Sequence, residues 1–358
     1  MTQSIDELIQ QSTYNWQPNA LFANSSSQAL IENGSIVHYS DAKAELMATI
    51  NVNTMFDLSH LGLLEINGAD AVDFLQGQVT NDVKLLLGNN AHYTGYCTPK
   101  GRLLALFLAF FHYDHLHLQF KRELVEPIMK RLKMYVMRSK VEIKDVSETI
   151  VKIGINGPDS VVLLSPLFAQ LPTQPYELVS LENGAILKLP SIDGHSRFQI
   201  FTNPNQAEIL FNALKSICQL AGKPCWDWLD IQMGIPDISL KTQEQFVPQM
   251  LNLDILGAIN FKKGCYTGQE IVARTHYLGT VKRRTYLAEI VTQLTPQAGD
   301  KVLNATHNEI GQIVRAAPNV AGYFDALIEL RIEAKEAGNL NFNGIGIKIK
   351  DLPYSFEV

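Results

Sequence analysis

Apolar and polar residues alternate from Leu116 to Phe120 and again from Arg197 to Phe201, and each alternation runs into apolar residues at helical spacing, near Arg122 to Tyr135 and Asn205 to Gln219. A strand feeding a helix is therefore expected twice. Upstream of each pair the chain repeats once more. Leu64-Glu65-Ile66-Asn67-Gly68-Ala69-Asp70-Ala71-Val72 is echoed by Ile153-Gly154-Ile155-Asn156-Gly157-Pro158-Asp159-Ser160-Val161, each predicting a strand, an Asn-Gly turn and a helix opened by an aspartate. Gly68 and Gly157 lie 89 residues apart, and the spacing at the strand-helix junctions is about 80, a difference that loop insertions accommodate. Two related α+β units follow, over 52–146 and 147–230. The apolar run Leu103 to Phe111 reads as a strand turning at Tyr113-Asp114, so antiparallel hairpins are expected rather than a doubly wound parallel sheet. From Thr285 onward short alternating strands are separated by turn residues at Gln297 to Asp300, Asn304 to Asn308, Pro318 to Gly322 and Asn343-Gly344, which predicts a small C-terminal β-barrel over 285–358. Residues 1–51, polar and carrying Ser25-Ser26-Ser27 and Asn33-Gly34, read as a loosely structured lead-in, and 231–284 as a connecting segment.

With 358 residues, 46% hydrophobic and 18% charged, the chain has the composition of a soluble globular protein of two or three domains. Its longest apolar run is the nine residues from Leu103 to Phe111, against about 20 for a membrane span. Asp6 and Glu7 in the first eleven residues do not suit a signal peptide, so a cytoplasmic location without membrane contact is expected. The net charge of -6 argues against direct nucleic-acid binding. Between 262 and 284, however, Lys262, Lys263, Arg274, Lys282, Arg283 and Arg284 face only Glu270 in charge, a balance that suits an anionic ligand or a solvated surface run. The cysteines at 97, 218, 225 and 265 form no CxxC pair and are expected to be reduced. Cys218 shares an apolar helix face with Ile209, Leu210, Ala213, Leu214 and Ile217, which marks it as core.

Candidate chemistry concentrates in Lys263-Gly264-Cys265-Tyr266-Thr267-Gly268-Gln269-Glu270. Thr267 and Glu270 fit a capping box, with Thr267 as N-cap and Ile271, Val272 and Ala273 continuing the helix. Cys265 would then lie just outside a helix N-terminus, with Lys263 close by, where a thiolate is favoured and a nucleophile, redox group or soft-metal ligand is a natural use. Ordinary helix architecture with a small packed cysteine explains the same residues. His112, His115 and His117 are read as the water-facing side of a strand whose Leu116, Leu118 and Phe120 point inward, and no metal site is assigned. Lys100-Gly101-Arg102 is read as a plain hairpin turn.

Phe246-Val247-Pro248-Gln249, Asn252-Leu253-Asp254, Phe261 through Glu270 and Val272-Ala273-Arg274 together resemble the signature of the YgfZ family of folate-binding proteins. Gly234-Ile235-Pro236 is similar to the family's helix end, Gly77-Gln78-Val79-Thr80-Asn81-Asp82-Val83 to its amino-terminal block, and Asp57-Leu58-Ser59-His60 to a motif of the related T-protein of glycine cleavage. The resemblance implies a T-protein-like α+β fold: two related units with antiparallel sheets around a central channel, and a barrel. It implies tetrahydrofolate as ligand, with Trp226 as ring-stacking residue, Leu61 where members place a second aromatic, and Arg274 for the anionic tail. Trp226 as core filling is the plainer alternative. Aminomethyltransferases carry a catalytic aspartate where Ala105 or Leu106 stands here, arginine and glutamate where Asp230 and Gln232 stand, and aspartate where Cys265 stands. Such losses, at about 10² to 10⁴ in rate for general acid-base work, imply that the parent reaction is not retained. The implied role is assistance to assembly or repair of iron–sulfur clusters in client enzymes or with assembly factors, including enzymes that thiomethylate tRNA, with Cys265 as working thiol and Lys263 supporting it. A folate-dependent one-carbon transferase, and a folate-sensing adaptor without thiol chemistry, are the alternatives.

Overall fold

The computed structural model describes residues 16–192 and 194–356. In chain order the elements are α1 (Ala20–Ala23), β1 (Leu30–Glu32), β2 (Ser35–His38), α2 (Ala42–Asn51), β3 (Thr54–Asp57), β4 (Leu61–Asn67), α3 (Ala71–Gln76), β5 (Ala91–Cys97), β6 (Leu103–His112), β7 (His115–Lys121), α4 (Val125–Val136), β8 (Glu142–Asp145), β9 (Val151–Gly157) and α5 (Ser160–Leu164). They continue with β10 (Leu178–Leu181), β11 (Gly184–Leu189), β12 (Ser196–Thr202), α6 (Pro204–Leu214), β13 (Gln219–Leu220), α7 (Lys223–Gln232), α8 (Gln269–Tyr277), β14 (Arg283–Ile290), β15 (Lys301–Leu303), β16 (Glu309–Pro318), β17 (Phe324–Arg331), α9 (Ile332–Ala337), β18 (Asn341–Phe342) and β19 (Ile345–Lys350). The strands form the hairpin β1-β2, a six-stranded sheet in the order β10-β11-β12-β9-β3-β13, a five-stranded sheet in the order β5-β6-β7-β4-β8, and a closed barrel β14-β17-β16-β15-β18-β19. The α+β class and terminal barrel are as expected. β13 runs parallel to β3, whereas β9-β12, β11-β12 and β4-β7 are antiparallel.

Both halves of the sequence repeat fold alike. β4 leads to α3 and β9 to α5, while β7 leads to α4 and β12 to α6. The aspartates behave differently from expectation. Asp159 stands at the N-cap of α5 but its side chain makes no capping bond, accepting instead from Asn53 Nδ2 at 3.2 Å, and Asp70 accepts from the Lys140 amide at 2.7 Å. A short polar side chain beside several unpaired amides takes the donor that tertiary packing brings nearest. At the hairpin between β6 and β7, Tyr113 and Asp114 both have positive φ, 46° and 61°, the conformation that two-residue hairpin turns require.

Contacts divide the chain into two compact units, one of 1–71, 86–91 and 109–226, the other of 72–85, 92–108 and 227–358. This division cuts across the sequence boundaries expected at 146 and 230, because local patterning identifies strands without identifying their distant partners. The first unit is built on a core that includes Met55, Ile153, Ile155, Ile186, Phe198 and Ile200 from the six-stranded sheet with Leu210 and Leu214 of α6 and Cys218 just after it, whereas Ile209, Ala213 and Ile217, expected on the same apolar face, are exposed. The expected loose lead-in is corrected: Phe22, Ile36 and Tyr39 belong to this core, and Glu45 accepts from the amides of Tyr39 and Gly222 at 2.6 and 2.9 Å. Polar composition concealed a few well-placed anchors; residues 1–15 lie outside the described ones. The second unit carries the barrel, filled by Ala288, Ile290, Ile313, Ala326 and Ile328. Among the described residues no helix is long and apolar enough to cross a membrane.

Candidate functional site

The two signature blocks that lie nearly two hundred positions apart in sequence meet in the second unit. Lys263 is the clip. Its Nζ donates to the backbone oxygens of Gln76, Val79 and Asn81 at 2.7, 2.6 and 2.8 Å and lies 5.1 Å from the centre of the Tyr266 ring. Burial pushes its pKa down to about 8, with Asp82 pulling the other way. Thr80 Oγ1 donates to the Ala258 oxygen at 2.7 Å, Asn81 Nδ2 to the Gly257 oxygen at 2.8 Å, and the Asn260 amide to the Thr80 oxygen at 3.0 Å. Downstream, Gln249 Nε2 donates to the Val272 oxygen at 2.7 Å, and Asn252 Nδ2 to the Thr285 oxygen at 2.7 Å, fixing the segment to α8 and to the first barrel strand. The motif is thus a bed of side-chain-to-backbone bonds that shapes one loop.

At the crest of that loop stands Cys265, exposed, while Cys97, Cys218 and Cys225 are buried. A Cβ placed on neighbouring Gly264 would meet nothing within 4 Å. Burial drives the Cys97 and Cys218 thiols up to about 12 and about 11, leaving them protonated and inert. The capping box does not form. Helix α8 begins at Gln269 with Gly268 as its N-cap and no side-chain cap, and Gln269 Oε1 accepts from the Tyr266 amide at 3.3 Å. Gly268 takes the position because its φ is +85° and a Cβ there would sit 2.4 Å from the Thr98 oxygen, a geometry closed to threonine. Thr267 is therefore outside the helix, Glu270 is exposed in its first turn, and Cys265 lies one residue farther from the helix start than expected. The Lys263 ammonium offers Cys265 no hydrogen bond, since it has three donors and three backbone oxygens occupy them.

Trp226, in the first unit, is 2% exposed. The Arg197 guanidinium lies 3.8 Å from its ring centre, Phe56 tilts against it at 5.1 Å, and Gly154 approaches so closely that a Cβ would fall 2.5 Å from Trp226 Cζ3. The ring is core filling. An expected stack of tetrahydrofolate on Trp226 does not fit this arrangement, since its surroundings already occupy the ring. Leu61, half-buried, opens β4 opposite Lys121, and Arg274 projects exposed from α8 in the second unit.

The model of the GCVT N-terminal domain family matches residues 11–262. The chain is 36% identical over 234 residues to the tRNA-modifying protein YgfZ of Hamiltonella defensa, covering 65% of this chain and 69% of that one. It is 30% identical over 310 residues to the tRNA-modifying protein YgfZ of Yersinia pestis, covering 84% and 92%. The chain belongs to the YgfZ family. Its fold is also that of the glycine cleavage system aminomethyltransferase T from Bartonella henselae, at a TM-score of 0.77 and 17% identity over 94% of this chain and 96% of that one.

The positions compared above with aminomethyltransferases hold structural groups. Ala105 and Leu106 are buried in β6. Asp230 and Asp227 hold Arg315 at 3.2 and 2.8 Å, and Gln232 with Trp228 donates to Asp325 Oδ2 at 2.8 and 3.0 Å. Of the six cations between 262 and 284, Lys263 is clipped, Arg283 pairs with Glu329, and Arg284 makes a two-pronged bond to Asp254 at 2.6 and 2.9 Å, leaving Lys262, Arg274 and Lys282 exposed. Arg102 donates to the Gln245 oxygen at 2.8 Å, in keeping with a plain turn. Sequence reading missed the ring cluster on α8, where Phe261 stacks on His276 at 3.7 Å and Tyr277 meets both edge-on; aromatics spaced among exposed cations were the available signal. The expectation that all three strand histidines face water is corrected for His117, which is 5% exposed and stacked on Phe110 at 5.1 Å. Among the described residues no group of three or more His, Cys, Asp or Glu could hold a metal ion.

Proposed function

We propose that this chain serves tRNA modification, as its YgfZ relatives are named for, by assisting the assembly or repair of iron–sulfur clusters in client enzymes such as those that thiomethylate tRNA, with Cys265 as the working thiol. The observation that carries the reading is the contrast among the four cysteines: three are buried, and the fourth stands exposed on a loop that the family signature builds. A thiol so displayed can meet a cluster, or a partner's sulfur, without the fold opening. Exposed Lys262, Arg274 and Lys282 around the same stretch suit an acidic partner surface or an anionic ligand. Tetrahydrofolate belongs to the reading through the family, held by contacts other than the faces of Trp226.

The test is complementation. In cells deprived of their own copy, wild-type chain should restore thiomethylated nucleosides in tRNA, and Cys265→Ala, expressed at equal level, should leave them at the depleted level. Full restoration by Cys265→Ala would remove Cys265 from the function. Calorimetry with tetrahydrofolate on the wild type and on Arg274→Ala tests the ligand: heat of binding that weakens several-fold in the variant supports it, and no heat with the wild type withdraws it.

A further inference from the structure

The first unit contains a cavity of about 310 Å³ that the proposed function does not use. Glu65 of β4, Phe110 near the end of β6, His115 and His117 of β7 and Phe201 of β12 line it. Phe110 lies parallel to His117 with 5.1 Å between centres and packs on Phe201 at 4.6 Å, so one end of the cavity is aromatic. His117 Nδ1 lies 3.2 Å from the backbone oxygen of His115. A carbonyl oxygen can only accept, so that nitrogen carries the proton and Nε2 of the neutral ring presents a lone pair. Burial holds the His117 pKa near 4, well below neutrality, which keeps the ring in this form.

The lone pair faces Glu65 Oε2 across 3.8 Å. That is an acceptor opposite an acceptor, too far apart to bond each other and close enough for one donor group beside them to reach both. The same carboxylate oxygen takes His115 Nδ1 at 3.1 Å. Lys144, across the β4-β8 ladder from Glu65, is drawn to Glu142 at 2.9 Å. In the second repeat the position equivalent to Glu65 is Gly154, over which Trp226 lies, so the second repeat fills with a ring what the first leaves open.

We infer that this cavity binds a small organic ammonium, its N–H groups bridging Glu65 Oε2 and His117 Nε2 and its apolar body resting against Phe110 and Phe201. A cation supplies donors and charge where a carboxylate and a neutral imidazole supply acceptors. The site is independent of Cys265.

The probe is benzylammonium chloride, with benzyl alcohol as its uncharged counterpart, titrated into the full chain at pH 7.5 by calorimetry and by nitrogen-detected NMR of the histidine rings. Benzylammonium should bind at least tenfold more tightly than the alcohol, move the His117 Nε2 resonance, and lose at least tenfold in Glu65→Gln while Cys265→Ala binds it unchanged. Should Glu65→Gln not fold, the His117 resonance of the wild type decides alone. Equal affinity for alcohol and ammonium, a stationary His117 signal, or displacement of benzylammonium by stoichiometric zinc ion would each overturn the assignment, the last by making the cavity a metal site.

Discussion

Trp226 and Cys265 stand out equally in the sequence, and the fold treats them in opposite ways. Trp226 is wrapped by Arg197, Phe56 and Gly154 within the first unit, whereas Cys265 is exposed on a loop of the second unit that Lys263 clips to the backbone of 76–81. One residue is scaffold and the other is displayed by scaffold. The difference teaches that a signature motif can spend residues on a loop's shape: Lys263 and Gly268 hold the loop, and Cys265 is what the loop presents.

Substitutions break this comparison in order of size. Trp226→Ala should cost about 3–5 kcal/mol of stability, the range for deleting a large buried aromatic, read as a lower urea midpoint. An unchanged midpoint would return Trp226 to the list of accessible ligand contacts. Lys263→Met should cost about 2–3 kcal/mol, because three backbone acceptors, two of them buried, lose their donor, and should make the 261–268 loop exchange its amide protons faster. A loop equally protected in that variant would show that the clip does not shape it. Gly154→Ala should cost about 1–3 kcal/mol by forcing a methyl against Trp226, and pairing it with Trp226→Phe should recover part of the loss if the clash is its cause. Cys265→Ala should stay within about 0.5 kcal/mol of the wild type, as an exposed substitution does.

Much of this was legible in the chain. The alternation at 116–120 and 197–201, the repeated Asn-Gly turns and the turn-rich tail gave the paired units and the barrel, because sheet faces and turn residues write themselves locally. What local reading lacked was partner choice. Thr267 looked like an N-cap because threonine with glutamate three residues on is a strong local pattern, but the close approach of the Thr98 oxygen reserves the cap for Gly268. Lys263 looked like a hydrogen-bonding partner for a thiolate because it is two residues away, yet carbonyls of residues 76, 79 and 81 take its three donors. Residues 16–51 looked loose because a few buried anchors, Phe22, Ile36 and Tyr39, are diluted in polar sequence. His117 looked solvent-facing because strand alternation assigns faces without saying that both can be covered.

The display of a single thiol is best measured by alkylation of the native chain with iodoacetamide at pH 8, followed by peptide mapping. With Cys97 and Cys218 pushed to about 12 and about 11 and Cys225 buried, one adduct is predicted, at Cys265, with the other three appearing only after denaturation. Protection of Cys265 in the folded protein, or labelling of a second cysteine at a comparable rate, would contradict the account.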